Sequence, residues 1–443
     1  MVIPLSKALR PSNESMIAFT GAGGKTTAMF QLARELSKNT PVLVTASSHL
    51  GVWQVSLADR HVVVEPLHAI KNLNENPSGI TLITGAFEGD RTKPINDELL
   101  AWLSEFCKSR SFPLLIEADG SRQKPLKAWA EHEPPIPKFV DQVVHVAGLG
   151  GLGKPLHIDN VHRPEIFSHL GGIQIGEIIT PEILKKVLTH REGGLKNIPS
   201  KARRVILLNQ ADTTELQSVA HGMAHDLLSQ FHSVVVANLQ QEKIFAVHEP
   251  VAGIILAAGG STRFGSAKQL LDWKGRPFVH AVAMTALEAG LSPVIVVVGA
   301  NAEQIETVVQ DLNVKIVRNE NWKTGQASSI REGVRELADS AGACIFLLVD
   351  QPQVNTSILR ALVEKHAEGL YPVVAPMVLD QRANPVLFDQ ETFSDLMKLE
   401  GDVGGRAILH KHRMEYLPWH DNRLLLDVDT PKQYQRLISD ETL

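Results

Sequence analysis

A glycine-rich turn with cationic side chains occupies residues 256–268, which read L-A-A-G-G-S-T-R-F-G-S-A-K. It follows the apolar run Val251–Leu256, so its backbone N–H groups can close around a triphosphate at the end of a strand. Arg263 and Lys268 place positive charge where a nucleotidyl transfer must stabilise the α-phosphate and the departing pyrophosphate. The pattern predicts that these two residues are catalytic. It also predicts that the nucleotide is bound by Leu256, Ala257, Ala258, Gly259, Gly260 and Gly265.

Three aspartates in the same half follow apolar runs and could hold a divalent cation. Asp350 ends one run, and Asp427 and Asp429 end another. Because side chains alternate along a strand, Asp427 and Asp429 are expected on one face. Mg²⁺ prefers carboxylate oxygens, so the sequence predicts a metal site made by Asp350 with one of the two late aspartates. The alternative is that Asp429 or Thr430 only caps a helix that starts at Pro431.

A second candidate phosphate site lies at residues 17–27, which read I-A-F-T-G-A-G-G-K-T-T. Lys25 could reach the outer phosphates and Thr26 could ligate Mg²⁺ at the start of a helix. Phe19 stands where the usual G-x-x-x-x-G-K-[ST] loop has its first glycine, so this turn is a variant, and the alternative is a purely structural turn. The residues predicted to bind ATP or GTP are Gly21, Gly23, Gly24, Lys25, Thr26 and Thr27.

Two carboxylates end the apolar run L-L-I-E-A-D-G at residues 114–120. Glu117 and Asp119 are two positions apart, so an extended chain would place both on one face. This is where a phosphate-binding loop needs an acidic group for Mg²⁺ or its water shell. We predict that Glu117 and Asp119 contribute to that metal site, with solvated strand-end carboxylates as the alternative.

The sequence N-Q-A-D at residues 209–212 follows another apolar run. In guanine-specific phosphate-loop proteins, N-K-x-D at this place reads the base, because the aspartate accepts from the purine N1–H and N2–H₂. Gln210 replaces the lysine here. A guanine-reading turn and a plain polar turn therefore both remain open.

These residues must be positioned by alternating strands and helices, which indicates an α/β fold with parallel sheets. The pattern restarts at Val251, after a polar segment at 240–250, so two tandem domains are predicted, at residues 1–249 and 250–443. The first is expected to hold a parallel sheet like that of P-loop NTPases, and the second a Rossmann-like sheet. The predicted strands of the first domain are Met16–Phe19, Val42–Thr45, Ile80–Thr84, Leu114–Ala118, Gln142–Ala147, Val205–Leu208 and Ser233–Val236. Those of the second are Val251–Leu256, Pro293–Val298, Lys315–Val317, Cys344–Val349, Val373–Met377, Pro385–Phe388 and Leu424–Val428. The predicted helices are Asn96–Cys107, Pro181–Leu188, Thr214–Gln230, Pro277–Ala289, Ala302–Leu312, Ser328–Leu337 and Thr356–Lys365.

Composition narrows the class of protein further. The 443 residues carry a formal net charge of -5, which argues against nucleic acid as a partner. The two cysteines, Cys107 and Cys344, exclude a disulfide framework or a cysteine-based zinc cluster. No apolar stretch approaches the roughly 18 residues of a membrane helix, and no signal core opens the chain. We expect a cytoplasmic protein without a membrane partner.

The first half resembles the YqeC-like proteins over roughly residues 15–245. The resemblance rests on the variant phosphate loop, on E-A-D-G-S followed by P-L-K and H-E-P between residues 117 and 134, and on G-K-P-L and V-H-R-P-E between 153 and 165. That family is linked to the maturation of selenium-dependent molybdenum hydroxylases. The resemblance implies a nucleotide-binding maturation role.

The second half resembles the MobA-like nucleotidyltransferases over roughly residues 250–436, and most of all the MocA-type cytidylyltransferases of the molybdenum cofactor. The resemblance rests on the first glycine turn, on N-x-x-W-x-x-G-Q-A-S-S-I-R-x-G at 319–333, and on D-Q-P, N-P-V-L-F, G-D-x-G-x-R and D-V-D-T-P. It implies a sheet of the nucleotide-diphospho-sugar transferase type. It also implies that Gly325, Ser328 and Ser329 border the nucleotide, although Ser328 or Ser329 could instead cap a helix. Asn384 and Pro385 would flank the acceptor.

The resemblance implies CMP transfer from CTP to the phosphate of a molybdopterin-type cofactor with Mg²⁺, because Ala258 replaces a glycine typical of the guanylyltransferase relatives. A molybdenum hydroxylase is the implied recipient of the product. Two rivals stay open beside GMP transfer. One is a non-catalytic delivery chaperone driven by a nucleotide switch, and the other is nucleotidylation of a sugar or alcohol phosphate.

Overall fold

A computed structural model describes residues 3–64, 78–260, 264–337 and 340–439 of the chain. The chain forms two compact units, Met1–His248 and Glu249–Leu443. The division lies one residue from the predicted boundary. Within the described ranges, no helix is both long enough and apolar enough to cross a membrane.

A nine-stranded sheet forms the centre of the first unit, counted over the described residues. Its strands are, in chain order, β1 Met16–Gly21, β2 Val42–Ala46, β3 Arg60–Val63, β4 Ile80–Thr84, β5 Leu114–Glu117, β6 Gln142–Gly148, β7 Arg203–Asn209, β8 Ser233–Asn238 and β9 Lys243–His248. Their order across the sheet is β9-β8-β7-β6-β1-β5-β2-β4-β3. All neighbouring pairs are parallel except β8 and β9. The α/β class with a parallel sheet is confirmed.

Helices pack on this sheet because its strands are apolar on both faces. β2 and β6, for example, are buried at every position. The helices of this unit are α1 Leu5–Leu9, α2 Lys25–Leu36, α3 Asp97–Arg110, α4 Pro164–Gly171, α5 Pro181–Thr189 and α6 Thr214–Leu227. Most of the strands and helices of this unit begin and end within a few residues of the predicted bounds. The elements α1, α4 and β3 were not predicted from the sequence.

The polar segment before Val251 is not a linker. Residues Lys243–His248 form β9, which pairs antiparallel with β8 at the edge of the sheet. Ile244 and Val247 are buried while Lys243 is exposed, which is how an edge strand hides a short apolar face. The high polarity of the segment therefore obscured a strand.

The second unit contains an eight-stranded sheet within the described residues. Its strands are β10 Val251–Leu256, β11 Val294–Val298, β12 Lys315–Arg318, β13 Ala343–Leu348, β14 Val373–Val378, β15 Gln381–Arg382, β16 Val386–Asp389 and β17 Met414–Pro418. Their order is β12-β11-β10-β13-β16-β14-β15, and β17 pairs with β14. The pairs on either side of β10 are parallel, and β16 runs antiparallel to β13. The helices are α7 Phe278–Glu288, α8 Ala302–Val309, α9 Gln326–Arg335, α10 Thr356–Gly369, α11 Phe393–Leu396 and α12 Pro431–Ser439.

The predicted strand Leu424–Val428 is wrong. The chain instead makes a short 3₁₀ turn at Asn422–Leu425 and then runs irregularly into α12. The amide nitrogen of Gln353 donates to the carbonyls of Arg423 and Leu426, at 2.9 and 2.7 Å. These carbonyls are therefore satisfied by a side chain and need no strand partner.

Strand register brings the predicted site residues together in each unit. Leu256 at the end of β10 pairs with Leu348 at the end of β13, so the first glycine turn lies beside Asp350. Phe19 of β1 pairs with Glu117 of β5, so the other glycine turn lies beside that carboxylate. In an open parallel sheet, ligands bind outside the carboxyl ends of the strands, which is where both turns lie.

Candidate active site

Lys268 joins two of the predicted metal-binding carboxylates. Its Nζ donates to Asp350 Oδ2 at 3.0 Å and to Asp429 Oδ1 at 2.8 Å. Partial burial alone would lower the pKa of the Lys268 ammonium, but the two carboxylates outweigh it and raise that pKa. The Lys268 ammonium and two carboxylates thus meet at the end of the β10–β13 pair.

Asp427 makes a different hydrogen bond from Asp429. Its Oδ1 accepts from Nε2 of the buried Gln351 at 2.7 Å, and it is Asp429 that faces Lys268. Because the segment is not a strand, strand alternation does not position these two aspartates. Burial, together with the charges of Asp350 and Asp429, still raises the pKa of Asp427. Thr430 receives the backbone N–H of Gln433 at 3.4 Å, so the capping interpretation applies to Thr430 and leaves Asp429 available to the site.

The glycine turn after β10 is held by a side chain that the sequence did not single out. Gln269, which is buried, donates through Nε2 to the carbonyls of Ala257 and Gly259, at 3.0 and 2.6 Å. These bonds hold the carbonyls of the first half of the turn in place. Arg263, the other predicted catalytic cation, lies outside the described residues.

A cavity of about 710 Å³ opens in front of this turn. A volume of this size suits a small-molecule ligand. Of the predicted residues, it is lined by Leu256, Ala258, Gly259, Gly260, Lys268, Gly325, Ser329, Asp350 and Asp429. Ala257, Gly265, Ser328 and Asp427 are not part of this lining within the described ranges.

Several lining residues were missed by the sequence analysis, namely Phe264, Gln269, Trp322, Lys323, Thr324, Gln326, Leu348, Val349 and Asp402. Trp322 and Gln326 stand within the motif at 319–333, so that motif did contain the signal. A Cβ atom at Gly260 would lie 3.2 Å from the Trp322 ring, so the indole packs directly on the turn. Asp402 receives the backbone N–H of Gln326 at 3.3 Å.

The two serines of that motif have different roles. Both lie inside α9, whose N-cap is Gly325, so the capping alternative for Ser328 and Ser329 is wrong. The amide of buried Asn319 donates to both hydroxyls, at 2.8 Å to Ser328 and 2.9 Å to Ser329. Ser328 also donates to the Gly325 carbonyl at 2.8 Å, which braces the turn from behind. Only Ser329 reaches the cavity.

Asn384 and Pro385 precede β16 and are not among the residues that line the cavity in the described part of the chain. The structure therefore does not bring them to the glycine turn. Their role at an acceptor stays a prediction from resemblance.

In the first unit, Lys25 is buried in an ionic cluster beneath the other glycine turn. Its Nζ donates to the Gly21 carbonyl at 2.8 Å and lies 3.3 Å from Asp119 Oδ1. Lys127 approaches Asp119 from the opposite side at 3.0 Å. Although burial alone would raise the pKa of Asp119, the two lysines lower it. Asp119 is thus an anion that anchors Lys25 and lies behind the turn.

Glu117 faces the turn more directly. Thr26 Oγ1 donates to Glu117 Oε2 at 2.8 Å, and Nε2 of Gln54 donates to Thr26 Oγ1 at 3.3 Å. Burial raises the pKa of Glu117 despite the nearby Lys25. A hydroxyl and a carboxylate at the start of a helix are the ligand types that Mg²⁺ takes beside a phosphate.

A cavity of about 1010 Å³ opens over this turn. Of the predicted residues, Gly23, Gly24, Lys25, Thr26, Thr27 and Glu117 line it. Gly21 and Asp119 stand behind it. The cavity also includes Gln54, Asn209, Gln210, Asp212, Asn238 and Gln240, so the N-Q-A-D turn shares a cavity with the glycine turn.

Gly24 shows why the turn needs glycine. Its φ is 133°, and a Cβ atom there would lie 2.3 Å from Asn209 Nδ2. The close approach lets Asn209 donate to the Gly23 carbonyl at 2.7 Å. A glycine-rich turn, a helix N-terminus and a lysine are the parts from which phosphate cradles are built.

Sequence relatives agree with this division into two units. The profile of the MobA-like NTP transferase domain matches residues 253–416, and the profile of the YqeC protein matches residues 17–165. The chain belongs to the YqeC family through its first unit and to the MobA-like family through its second. The second unit is a nucleotidyltransferase.

Three similar proteins illustrate the two matches. The uncharacterised YqeC protein of Escherichia coli (strain K12) is 31% identical over 220 residues, which cover 48% of this chain and 82% of that protein. Nicotine blue oxidoreductase of Paenarthrobacter nicotinovorans is 30% identical over 197 residues, 42% of this chain and 96% of that protein. The solved structure of Rv0371c from Mycobacterium tuberculosis H37Rv is 28% identical, with a TM-score of 0.39, and covers 43% of this chain and 98% of its own.

Proposed function

We propose that the second unit transfers CMP from CTP to the phosphate of a molybdopterin-type cofactor and releases pyrophosphate. The observation that supports this most is the convergence of Lys268, Asp350 and Asp429 at the mouth of a cavity rimmed by a glycine turn. The choice of cofactor and of cytidine rests on the family resemblance, with Ala258 at the position that favours cytidine.

The residues present fit a magnesium ion. Asp350 and Asp429 each place an oxygen within 3.0 Å of Lys268 Nζ, so the two carboxylates lie close enough together to share a metal ion once that ammonium turns toward the phosphates. Mg²⁺ is held in such enzymes by one or two carboxylates together with substrate phosphates. Asp350 and Asp429 would hold it here, and when bound it supplies positive charge beside the α-phosphate.

The chain's own groups would act mainly by position and charge. In the reaction, a phosphate oxygen of the acceptor forms a bond to the α-phosphorus of CTP, and the bond from that phosphorus to the bridging oxygen of pyrophosphate breaks. The attacking phosphate is already an anion at neutral pH, so no side chain has to remove a proton. Lys268 would stabilise charge on the departing phosphates, and Gln269 would hold the turn for them.

For the first unit we propose binding of Mg²⁺ with ATP or GTP at the cradle of Gly23, Gly24, Lys25, Thr26 and Thr27. Thr26 and Glu117 would hold the metal, and Lys25 would contact the phosphates. The unit would serve the maturation of a molybdenum hydroxylase that receives the dinucleotide cofactor. Its support is the shared cavity and the buried Lys25 at its floor.

The test of the transferase proposal is a four-nucleotide comparison. Purified full-length chain, Mg²⁺ and molybdopterin-type cofactor are incubated with each α-labelled nucleoside triphosphate, and the label that moves to the cofactor is counted. We expect CMP transfer to exceed transfer from the other three by at least about 10-fold. Preferential GMP transfer would move the chain to the guanylyltransferases. No transfer with any nucleotide would favour the delivery role or a different phosphate acceptor.

A further inference from the structure

We infer that the cavity of the first unit takes a guanine nucleotide and that Asp212 recognises the base. This inference rests on the nucleotide binding proposed for that cavity and adds the identity of the base. The phosphate cradle alone does not distinguish one base from another, because it contacts only phosphates. The discriminating residues lie at the other side of the same cavity.

Asn209 ties the base side of the cavity to the phosphate side. Its Nδ2 donates to the Gly23 carbonyl at 2.7 Å, and its Oδ1 accepts the backbone N–H of Leu239 at 2.9 Å. The side chain is 6% exposed, so these bonds are shielded from water. One amide therefore joins the turns that follow β1, β7 and β8. Asp212, three residues after Asn209, is set at a fixed place relative to the cradle.

Asp212 is itself oriented by a buried neighbour. Nδ2 of Asn238 donates to Asp212 Oδ1 at 2.8 Å, and Oδ1 of Asn238 accepts the backbone N–H of Gln241 at 3.0 Å. Both ends of the Asn238 amide are used, so the carboxylate cannot turn without breaking a bond. Asp212 is exposed and lines the cavity. Each carboxylate oxygen has two lone pairs, so both oxygens can still accept from a ligand.

The chemistry of the base decides what such a carboxylate selects. Guanine presents N1–H and one hydrogen of N2–H₂ side by side, which match two carboxylate oxygens. Adenine presents an unprotonated N1 at the same place and would put a lone pair against the anion. A site built to hydrogen-bond one base rejects an analogue that lacks the donors, because its polar groups are left unpaired.

Two further features of the cavity wall indicate a ligand. Gln54 is 6% exposed, and its Nε2 donates to Thr26 Oγ1. Its Oε1 is buried and has no hydrogen-bond partner among the described residues. A buried acceptor is usually satisfied, so a donor from a bound ligand or its water is expected there. Gln210 also takes a φ of 61°, a conformation that is unusual for a non-glycine residue and concentrates at functional sites.

The experiment measures binding of Mg²⁺ complexes of GTP, ATP and XTP to the full-length chain by calorimetry. Binding at the first unit is defined as the part that Lys25→Met removes, which separates it from the transferase site. The decisive variant is Asp212→Asn, because a carboxamide can accept from N1–H and donate to the C2 carbonyl of xanthine. The matched control is Asp226→Asn, which changes an exposed aspartate of α6 that pairs with Lys185.

We expect the unaltered chain to bind GTP at least about 30-fold more tightly than ATP. Asp212→Asn should lose at least about 10-fold in GTP affinity and gain at least about 10-fold for XTP, while Asp226→Asn changes neither. Equal or tighter ATP binding, or an unchanged GTP affinity in Asp212→Asn, overturns the assignment of guanine but keeps a nucleotide site. If Lys25→Met removes no binding of either purine, the nucleotide site itself is wrong, and the inference falls with it. Asp212 lies at the surface, so a circular dichroism spectrum suffices to show that the variant folds.

Discussion

Lys268 and Asp350 are 82 residues apart in the chain, yet Lys268 Nζ lies 3.0 Å from Asp350 Oδ2 at the edge of the central sheet. The parallel pairing of β10 with β13 brings them together, because both residues follow the carboxyl ends of adjacent strands. The contact brings together two groups with different proposed roles, the catalytic cation Lys268 and the metal-binding carboxylate of Asp350. Each should therefore have its own effect when removed.

Replacing Lys268 by alanine should reduce CMP transfer by at least about 100-fold, because one preorganised transition-state charge is worth roughly 2.7–4 kcal/mol. The loss should appear in kcat under saturating CTP. The matched control is Lys315→Ala. Lys315 is an exposed lysine of β12 that pairs with Glu336, and its removal should leave turnover normal. Near-normal turnover of a folded Lys268→Ala protein would remove Lys268 from the active site.

The two late aspartates should differ sharply. Asp429→Asn and Asp350→Asn should each abolish transfer at ordinary Mg²⁺, because a carboxamide has nearly the same shape but lacks the negative charge that a hard cation prefers. Asp427→Asn should keep most activity, because Asp427 is held by Gln351, whereas Asp429 bonds Lys268. Transfer rates measured over a range of Mg²⁺ concentrations check this. If Asp427→Asn lost more activity than Asp429→Asn, the metal ligand would be Asp427 and not Asp429.

The cradle of the first unit should act independently of the transferase site. Lys25→Met should weaken Mg²⁺–nucleotide binding at that cradle by at least about 10-fold and leave CMP transfer within about twofold of normal, because the cation between the phosphates and Asp119 is lost. Lys38→Ala, at an exposed position just after α2, is the control. Calorimetry and the labelled-transfer assay on the same preparations test both halves. A parallel loss of CMP transfer would mean that the two activities are coupled.

Buried His145 should make the first unit less stable in acid. Burial lowers the pKa of His145 to about 4, against an ordinary value near 6.5. Between these values the unfolded chain binds the extra proton, so the free energy of unfolding rises with pH and falls as pH drops from about 6.5 towards 4. The full effect is on the order of 3 kcal/mol. The free energy of unfolding can be measured from the hydrogen-exchange protection of the β6 amides at pH 7 and pH 5. It should change less between these pH values in His145→Gln than in the unaltered chain. An identical pH dependence would show that His145 does not contribute.

The sequence predicted the fold well where strands are apolar and buried on both faces. β2, β5 and β11, for example, are mainly apolar and are buried at every position, which is typical of a strand covered on both faces. It failed where tertiary contacts replace local pattern. β9 hides only Ile244 and Val247, and the segment before α12 is shaped by Gln353, whose contribution depends on residues 70 positions away.

The same distinction holds for the site. The glycine turns and Lys268 follow from local spacing, because a strand, a turn and a cation adjoin in sequence. Gln269, Asn209 and Asn238 could not be ranked from sequence, because an amide is informative only when its partners are known. Gln269 and Asn209 bond backbone groups of other turns, and Asn238 bonds the Asp212 carboxylate; the fold brings these partners near.

The most direct test of the central claim is the mass of the product. Full-length chain is incubated with CTP, Mg²⁺ and molybdopterin-type cofactor, and the cofactor fraction is examined by mass spectrometry beside the same reaction with Asp350→Asn. We predict a cofactor heavier by one CMP, accompanied by one equivalent of pyrophosphate, in the unaltered chain and absent from the variant. A cofactor of unchanged mass, while the folded chain still binds CTP, would contradict CMP transfer to this cofactor as the function of this unit.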